Sequence, residues 1–180
     1  PMLQRLKWHD KVASSETLAL ANVPTLSALT VVAHSVEPTF VFPAQLTALD
    51  LRLFSGPFNG AALSTLTRLQ KLKIAADKDT TPLDLSGLTS LTKFSGADTH
   101  IGQLPASLVS CWVSVLTDRD FSPLTNLTSL GLWLRSNVHL TFPTQLKELN
   151  LNGKALLGSN IGDVALESLQ WNLLRSPLTL

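Results

Sequence analysis

The chain has 180 residues, of which 38 are leucine, and its 14 Lys and Arg residues against 13 Asp and Glu residues give a formal net charge of +1. This balance excludes a highly charged disordered tail and argues against a broadly basic nucleic-acid-binding protein. A single cysteine, Cys111, excludes an internal disulfide framework and a zinc ribbon. Because no apolar run reaches the ~18 residues of a membrane span, the sequence predicts no transmembrane helix, and its N-terminus lacks the pattern of a signal peptide.

A short pattern of the form L-x-x-L-x-L recurs along the chain and predicts a strand at each copy. In chain order, its three apolar positions are Leu3, Leu6 and Trp8; Leu26, Leu29 and Val31; Leu46, Leu49 and Leu51; Leu69, Leu72 and Ile74; Leu91, Phe94 and Gly96; Leu108, Cys111 and Val113; Leu127, Leu130 and Leu132; Leu146, Leu149 and Leu151; and Leu166, Leu169 and Trp171. Successive copies are 23, 20, 23, 22, 17, 19, 19 and 20 residues apart. A near-constant period of this kind indicates a repeat architecture.

The short period limits what each repeat can contain. It allows one strand of roughly three to five residues, a turn and a brief return segment, but no full α-helix in every repeat. Side chains alternate along a strand, so the second and third apolar positions point into the core and the residues between them point outward. We therefore predict a repeat solenoid over residues 1–180, a single domain of about nine repeats, in which parallel strands stack in sequence order.

The segments that precede the strands have one of two sequence patterns. Pro43, Pro105 and Pro143 stand three residues before a first apolar position and favour an extended approach to the strand. Other repeats have a leucine ladder there instead, as in Leu63, Leu66 and Leu69, which is compatible with one 3₁₀ turn. The predicted parallel sheet lies on the concave side, and the convex side is predicted to be irregular with 3₁₀ and polyproline-like segments.

These motifs resemble the leucine-rich repeat superfamily, especially the short Pro-containing repeats of bacterial and protist proteins. The segment from Leu104 to Val113 is also similar to Phe-Asn-Ile-Pro repeats. The resemblance implies a horseshoe or arc, and the commonest use of the family implies a protein or peptide partner. One feature departs from the family: the slot three residues after the third apolar position holds no asparagine. Its occupants are Lys11, His34, Phe54, Asp77, Thr99, Leu116, Arg135, Lys154 and Leu174. We expect backbone or water to satisfy the turn N–H groups, or the turns to be looser.

No polar or cysteine-rich capping unit is recognisable at either end of the repeats, although solenoid ends need one for solubility. Three interpretations remain open. Trp8 and Trp171 occupy third apolar positions in the end repeats and would cover the core as bulky lids. Alternatively, the chain is a window of a longer array, or the ends meet neighbouring subunits, which predicts self-association.

Signals for chemistry are weak. None of the four histidines has metal-ligand spacing or a neighbouring carboxylate motif, and no glycine-rich phosphate loop is present. Cys111 falls at an inward position, where a small buried hydrophobe is expected rather than a nucleophile. We therefore expect no catalytic residue, no metal site and no cofactor.

The outward strand positions divide into three zones that predict a binding surface. Arg52, Lys71, Lys73 and Lys93 form a basic zone, Trp112 and Trp133 an aromatic zone, and Asn150, Asn152 and Gln170 an amide zone. Exposed tryptophans are enriched at binding hot spots. The alternatives are that the two indole rings simply stack on each other and that the basic zone is a solvated surface.

The sequence thus favours non-catalytic recognition of a protein or peptide on the concave face. Two alternatives stay open: a structural unit that assembles through its ends, and a carbohydrate-binding surface protein, suggested by tryptophans beside amides. Nucleic acid is not expected as a partner, and the compartment is open.

Overall fold

The computed structural model describes residues 3–9, 12–13, 23–36, 40–54, 58, 60–76, 82–97 and 101–173. Its strands are, in chain order, β1 (Arg5–His9), β2 (Val12–Ala13), β3 (Ala28–Ala33), β4 (Ser35–Val36), β5 (Ala48–Leu53), β6 (Lys71–Ala75), β7 (Lys93–Ala97), β8 (Ser110–Val115), β9 (Arg119–Asp120), β10 (Ser129–Leu134), β11 (Val138–Thr141), β12 (Glu148–Gly153), β13 (Leu156–Ser159) and β14 (Ser168–Leu173). Among the described residues, 3₁₀ helices span Gly60–Leu63 and Ile161–Asp163. Within the described ranges, no helix has the length and apolar character needed to cross a membrane.

The main sheet contains one strand from each repeat, in the order β1-β3-β5-β6-β7-β8-β10-β12-β14. Every neighbouring pair is parallel. This arrangement confirms the predicted solenoid, in which strands pair in sequence order because each return segment is too short to carry the chain past its nearest neighbour. At about 4.8 Å per strand, the sheet is roughly 40 Å long.

Alternation of leucine with other residues sets the register of the main sheet. Leu130 lies opposite Cys111 on one side and Leu149 on the other, and Leu132 lies opposite Val113 and Leu151. All of these side chains are buried. A slip of one residue would turn this apolar set towards solvent, so the hydrophobic effect selects the observed pairing.

Behind the main sheet, aromatic side chains from the return segments complete the core. Phe42, Phe121 and Phe142 are among the largest fully buried residues. Pro43 and Pro143, which follow two of them, begin turns whose carbonyl oxygens accept the N–H of Leu46 and Leu146, each at 3.1 Å. The two Phe-Pro segments therefore each close a turn and place a phenylalanine side chain in the core.

Two small parallel sheets on the back of the solenoid were not predicted. One has the order β13-β11-β9, and the other pairs β2 with β4. These strands are two to four residues long. A segment such as Arg119–Asp120 has no apolar alternation that could reveal a strand. Its pairing comes from equivalent positions in adjacent repeats, which the main sheet has already aligned.

At three turns after the main strands, the residue in the slot that lacks asparagine donates a backbone hydrogen bond. The N–H groups of Phe54, Arg135 and Lys154, three of the slots in question, donate to carbonyl oxygens one repeat earlier at 3.1, 2.9 and 2.9 Å. These three slots therefore agree with the expectation that the backbone satisfies the turn N–H groups. Lys11, Asp77, Thr99 and Leu174 lie outside the described residues.

The last strand of the main sheet exposes part of its inward set. Leu169 and Trp171 are 49% and 44% exposed, whereas their counterparts Leu149 and Leu151 in the preceding strand are buried. At the other end, Trp8 is partly buried against the core. The two end repeats therefore differ, and Trp171 presents much of its indole ring to solvent.

Candidate functional site

The outward residues of the main sheet form three columns that run across all nine strands, and we call this surface the sheet face. The first column is Arg5, Ala28, Ala48, Lys71, Lys93, Ser110, Ser129, Glu148 and Ser168. The second is Lys7, Thr30, Asp50, Lys73, Ser95, Trp112, Gly131, Asn150 and Gln170. The third is His9, Val32, Arg52, Ala75, Ala97, Ser114, Trp133, Asn152 and Asn172. The strand register thus places every sequence-predicted site residue on one surface.

Charge is distributed unevenly between the sheet face and the rest of the chain. The three columns carry six of the 14 Lys and Arg residues but only two of the 13 Asp and Glu residues. The sheet face therefore has a formal charge of +4, and the remainder of the chain has −3. A chain that is nearly neutral as a whole presents a distinctly basic surface.

Three lysines at the centre of the sheet face, Lys71, Lys73 and Lys93, form what we call the lysine cluster. Lys71 lies directly opposite Lys93 on the adjacent strand, and all three side chains are exposed. Within the described part of the chain, none of the three takes part in a salt bridge. Like charges on directly opposite strand positions repel each other, so the cluster does not stabilise the fold.

Arg52, the fourth residue of the predicted basic zone, differs from the lysines because it has an acidic partner. Its guanidinium donates from Nη2 to Asp50 Oδ2 at 3.2 Å and from Nε to Asp50 Oδ1 at 3.4 Å. Asp50 also stands opposite Lys73 in the strand register. The structure therefore separates Arg52, which forms a salt bridge with Asp50, from the lysine cluster, for which no salt bridge is found among the described residues.

A shallow depression of about 390 Å³, the central depression, lies over strands β3 to β8. The lysine cluster lines it together with Thr30, Asp50, Ser95 and Trp112. Strands β3, β5, β6, β7 and β8 are adjacent, so the depression crosses four strand spacings, or roughly 19 Å at 4.8 Å each. An extended segment of about six residues has this length.

Trp112 stands between the central depression and a second one. The second depression has a volume of about 330 Å³ and is also lined by Gly131, Glu148, Asn150 and Gln170. The Trp112 indole lies on Gly131, since a Cβ atom built there would be 1.9 Å from ring atom Cε3. The glycine thus makes room for the ring itself, and Trp112 remains 41% exposed.

Trp133 is also exposed, but its surroundings differ from those of Trp112. The Arg135 guanidinium lies 5.6 Å from the centre of the Trp133 ring, within the range of a cation–π contact. Among the described aromatic side chains, no ring contact joins Trp133 to Trp112. The alternative that the two rings stack on each other is therefore wrong, because Trp112 leans over Gly131 and Trp133 faces Arg135.

The amide zone is a hydrogen-bonded chain. Asn172 Nδ2 donates to Asn152 Oδ1 at 3.0 Å, Asn152 Nδ2 to Asn150 Oδ1 at 2.6 Å, and Asn150 Nδ2 to Gln170 Oε1 at 2.7 Å. Asn172, one of the amides that suggested carbohydrate binding, also belongs to this network. The strand register aligns it with Asn152.

Two polar side chains away from the exposed sheet face, those of Cys111 and Arg119, are held in buried or partly buried surroundings. Cys111 is buried at the inward position predicted for it, and burial raises the pKa of its thiol to about 12. On the back of the solenoid, the Arg119 guanidinium donates to the carbonyl oxygens of Ile101 and Gly102 and lies over the Phe121 ring. Burial lowers the pKa of Arg119. In the described ranges, no group of three His, Cys, Asp or Glu residues is arranged to hold a metal ion.

The architecture defined by these strands is a parallel-strand solenoid, consistent with the leucine-rich repeat superfamily that the sequence resembles. No protein-family model and no curated protein sequence matches the chain. Among solved structures, the chain is similar to the crystal structure of an internalin from Listeria monocytogenes. The two share 16% sequence identity with a TM-score of 0.49, and the match covers 95% of this chain and 68% of the internalin chain.

Proposed function

We propose that the chain is a non-catalytic recognition module that binds a protein or peptide on the sheet face. The observation that carries the proposal is the position of Trp112. This residue is exposed at the centre of a sheet, shares two depressions and contributes nothing to the buried core. A large aromatic side chain of this kind can add on the order of 2 kcal/mol to affinity when a partner covers it.

The proposal is tested by selection of a displayed random peptide library on the immobilised chain. We expect peptides that bind the wild-type protein and lose at least tenfold in affinity on Trp112→Ala. The matched control is Phe54→Ala, because Phe54 is also an exposed aromatic residue but lies beyond the end of β5 and outside the three columns. Peptides that tolerate Trp112→Ala but not Phe54→Ala would move the binding site to the turns.

Assembly through the ends is a second candidate function, and the exposure of Leu169 and Trp171 on β14 favours it. A copy of the chain that paired with β14 would cover both side chains. Light scattering over a concentration series tests this candidate, which predicts an apparent mass that rises with concentration. A Trp171→Ser variant that stays monomeric where the wild type associates would locate the contact.

Carbohydrate binding is favoured by the second depression, which places Trp112 beside Asn150 and Gln170. Aromatic platforms with neighbouring amides suit the apolar faces and hydroxyl groups of sugars. The amides, however, already bond one another, which leaves fewer donors for a ligand. Binding on a glycan array that depends on Asn150 as well as Trp112 would favour this candidate over a peptide.

A further inference from the structure

We infer that the central depression takes an acidic peptide segment whose carboxylates meet the lysine cluster and whose neighbouring apolar side chain covers Trp112. This inference rests on the proposed function and names the chemistry of the partner. Its first support is the unbalanced charge at the site. Lys71, Lys73 and Lys93 are exposed and close together, and within the described residues no carboxylate forms a salt bridge with them.

Binding of an anionic segment would relieve a repulsion that folding itself does not relieve. Lys71 and Lys93 are opposite each other in the register, and Lys73 is two residues along the same strand as Lys71. Asp50, an acid of the sheet face, lies opposite Lys73 in the register, but its carboxylate oxygens accept hydrogen bonds from Arg52 and it forms no salt bridge with the lysine cluster among the described residues. Carboxylates from a partner would therefore supply the ion pairs that the described residues do not form with these lysines.

The geometry of the sheet face fixes a spacing for the peptide. Lys73, Ser95 and Trp112 occupy the same column on three successive strands. Two strand spacings separate Lys73 from Trp112, or roughly 10 Å. An extended peptide rises about 3.3 Å per residue, so an apolar residue should follow or precede the acidic residues by about three positions.

A uniformly charged polyanion fits this surface less well than a peptide. Asp50 lines the same depression as the lysines and would repel a chain with charges at every position. A peptide can place its carboxylates over the lysines and leave uncharged residues beside Asp50. The apolar contact at Trp112 likewise favours a chain whose charged and apolar groups alternate.

The composition of the selected peptides tests the inference. We expect sequences enriched for two or more Asp or Glu residues about three positions from an aromatic residue or leucine. Binding of a synthetic peptide of this type to the whole chain should weaken at least tenfold in the double variant Lys71→Gln/Lys93→Gln. It should also weaken at least tenfold between 50 and 500 mM NaCl, because the contacts are exposed and screened by salt. Arg68→Gln/Lys154→Gln is the matched control, since both residues are exposed and lie outside the three columns.

Three outcomes overturn the inference. Selected peptides that lack acidic residues but still depend on Trp112 would leave the proposed function intact and remove its acidic partner. Heparin binding that depends on Lys71 and Lys93, with no acidic peptide selected, would identify a sulfated polysaccharide instead. Selection of no peptide that depends on the sheet face would remove both proposals together. Circular dichroism of each variant verifies that it is folded, which the exposure of the lysines leads us to expect.

Discussion

The two halves of the sheet face share one core pattern but differ in how their polar side chains are partnered. In the first half, β1 to β7, the lysine cluster holds three like charges without ion-pair partners among the described residues. In the second half, β8 to β14, Asn150, Asn152, Gln170 and Asn172 bond one another. The inward residues specify the solenoid in both halves, so the outward residues can differ between the halves without changing the fold.

If the two halves share one core, equivalent inward truncations should have similar and large costs. Leu49 in β5 and Leu149 in β12 are both buried at the second apolar position of their repeats. We expect Leu49→Ala and Leu149→Ala each to lower the free energy of unfolding by about 2–5 kcal/mol, through lost apolar burial and the cavity left behind. Leu130→Ala should behave in the same way. Urea denaturation measures the effect, and a change below about 0.5 kcal/mol would mean that the inward register is wrong.

A second prediction concerns the backbone at the end of β12. Gly153 has a φ of 108°, and a Cβ atom there would lie 2.3 Å from the Leu134 carbonyl oxygen. Gly153→Ala should therefore cost about 1–3 kcal/mol in unfolding free energy, because both strain and a backbone clash oppose it. Gly162→Ala is the control, since a Cβ atom there has nothing within 4 Å. Equal stability of the two variants would contradict this account.

At the boundary between the halves, Trp112→Ala should separate binding from folding. We expect at least a tenfold loss of affinity for selected peptides, while the unfolding free energy changes by less than about 0.5 kcal/mol. Trp133→Ala should also weaken binding tenfold if both indoles contact the partner. If the partner contacts Trp112 alone, the Trp133→Ala variant should bind with unchanged affinity, because the Trp133 ring already contacts Arg135. If both variants bind normally, the site lies elsewhere, and if both unfold, the rings belong to the core.

Removing polar groups from the two halves should have unequal effects on stability. Asn152 both donates and accepts in the amide network, so Asn152→Ala should cost about 1 kcal/mol in unfolding free energy. Lys71→Ala in the first half should be neutral or slightly stabilising, because it removes a repulsion with Lys93. Thermal and urea unfolding of the Asn152→Ala and Lys71→Ala variants measure the two effects. Equal losses of stability would mean that the amide network does not stabilise the fold or that Lys71 does.

The last prediction is a dependence of stability on alkaline pH. The Cys111 thiol has a pKa near 12 when folded, against an ordinary value of 9.0, because it is buried. The unfolded chain therefore releases this proton first, and stability present below pH 9 is lost as the pH rises towards 12. The contribution is on the order of 1 kcal/mol per pH unit above 9. Unfolding at pH 8 and pH 10 should show a steeper loss for wild type than for Cys111→Ala, and equal slopes would mean that the thiol does not contribute.

The sequence predicted the main sheet well because its signal repeats nine times. An apolar residue at every second position of a strand, as at Leu49 and Leu51, determines which residues face the core, and hence which residues form the columns. The position of Lys71 opposite Lys93 follows from that register alone. The back sheets did not follow, because Arg119–Asp120 and Leu156–Ser159 carry no periodic apolar signal.

Side-chain partners on the sheet face could not be predicted from the register. Arg52 stood in the basic zone with the lysines, but its bond to Asp50 depends on side-chain torsions within one strand. In the same way, the register placed Trp112 and Trp133 as diagonal neighbours without showing which way each ring leans. Gly131 decides the direction for Trp112, since it is the residue on which an indole ring can lie without a clash.

Pairing of each strand only with its nearest neighbours has a consequence for how the molecule opens. The interactions between main strands are distributed like those of a one-dimensional chain of units, in which each unit is held by the one before and the one after. A central strand such as β7 loses both neighbours when it separates, whereas β1 and β14 each lose one within the described sheet. Local opening should therefore begin at the outer strands and move inward. Amide hydrogen exchange would record this as a gradient of protection, slowest around β7 and β8 and fastest at β1 and β14.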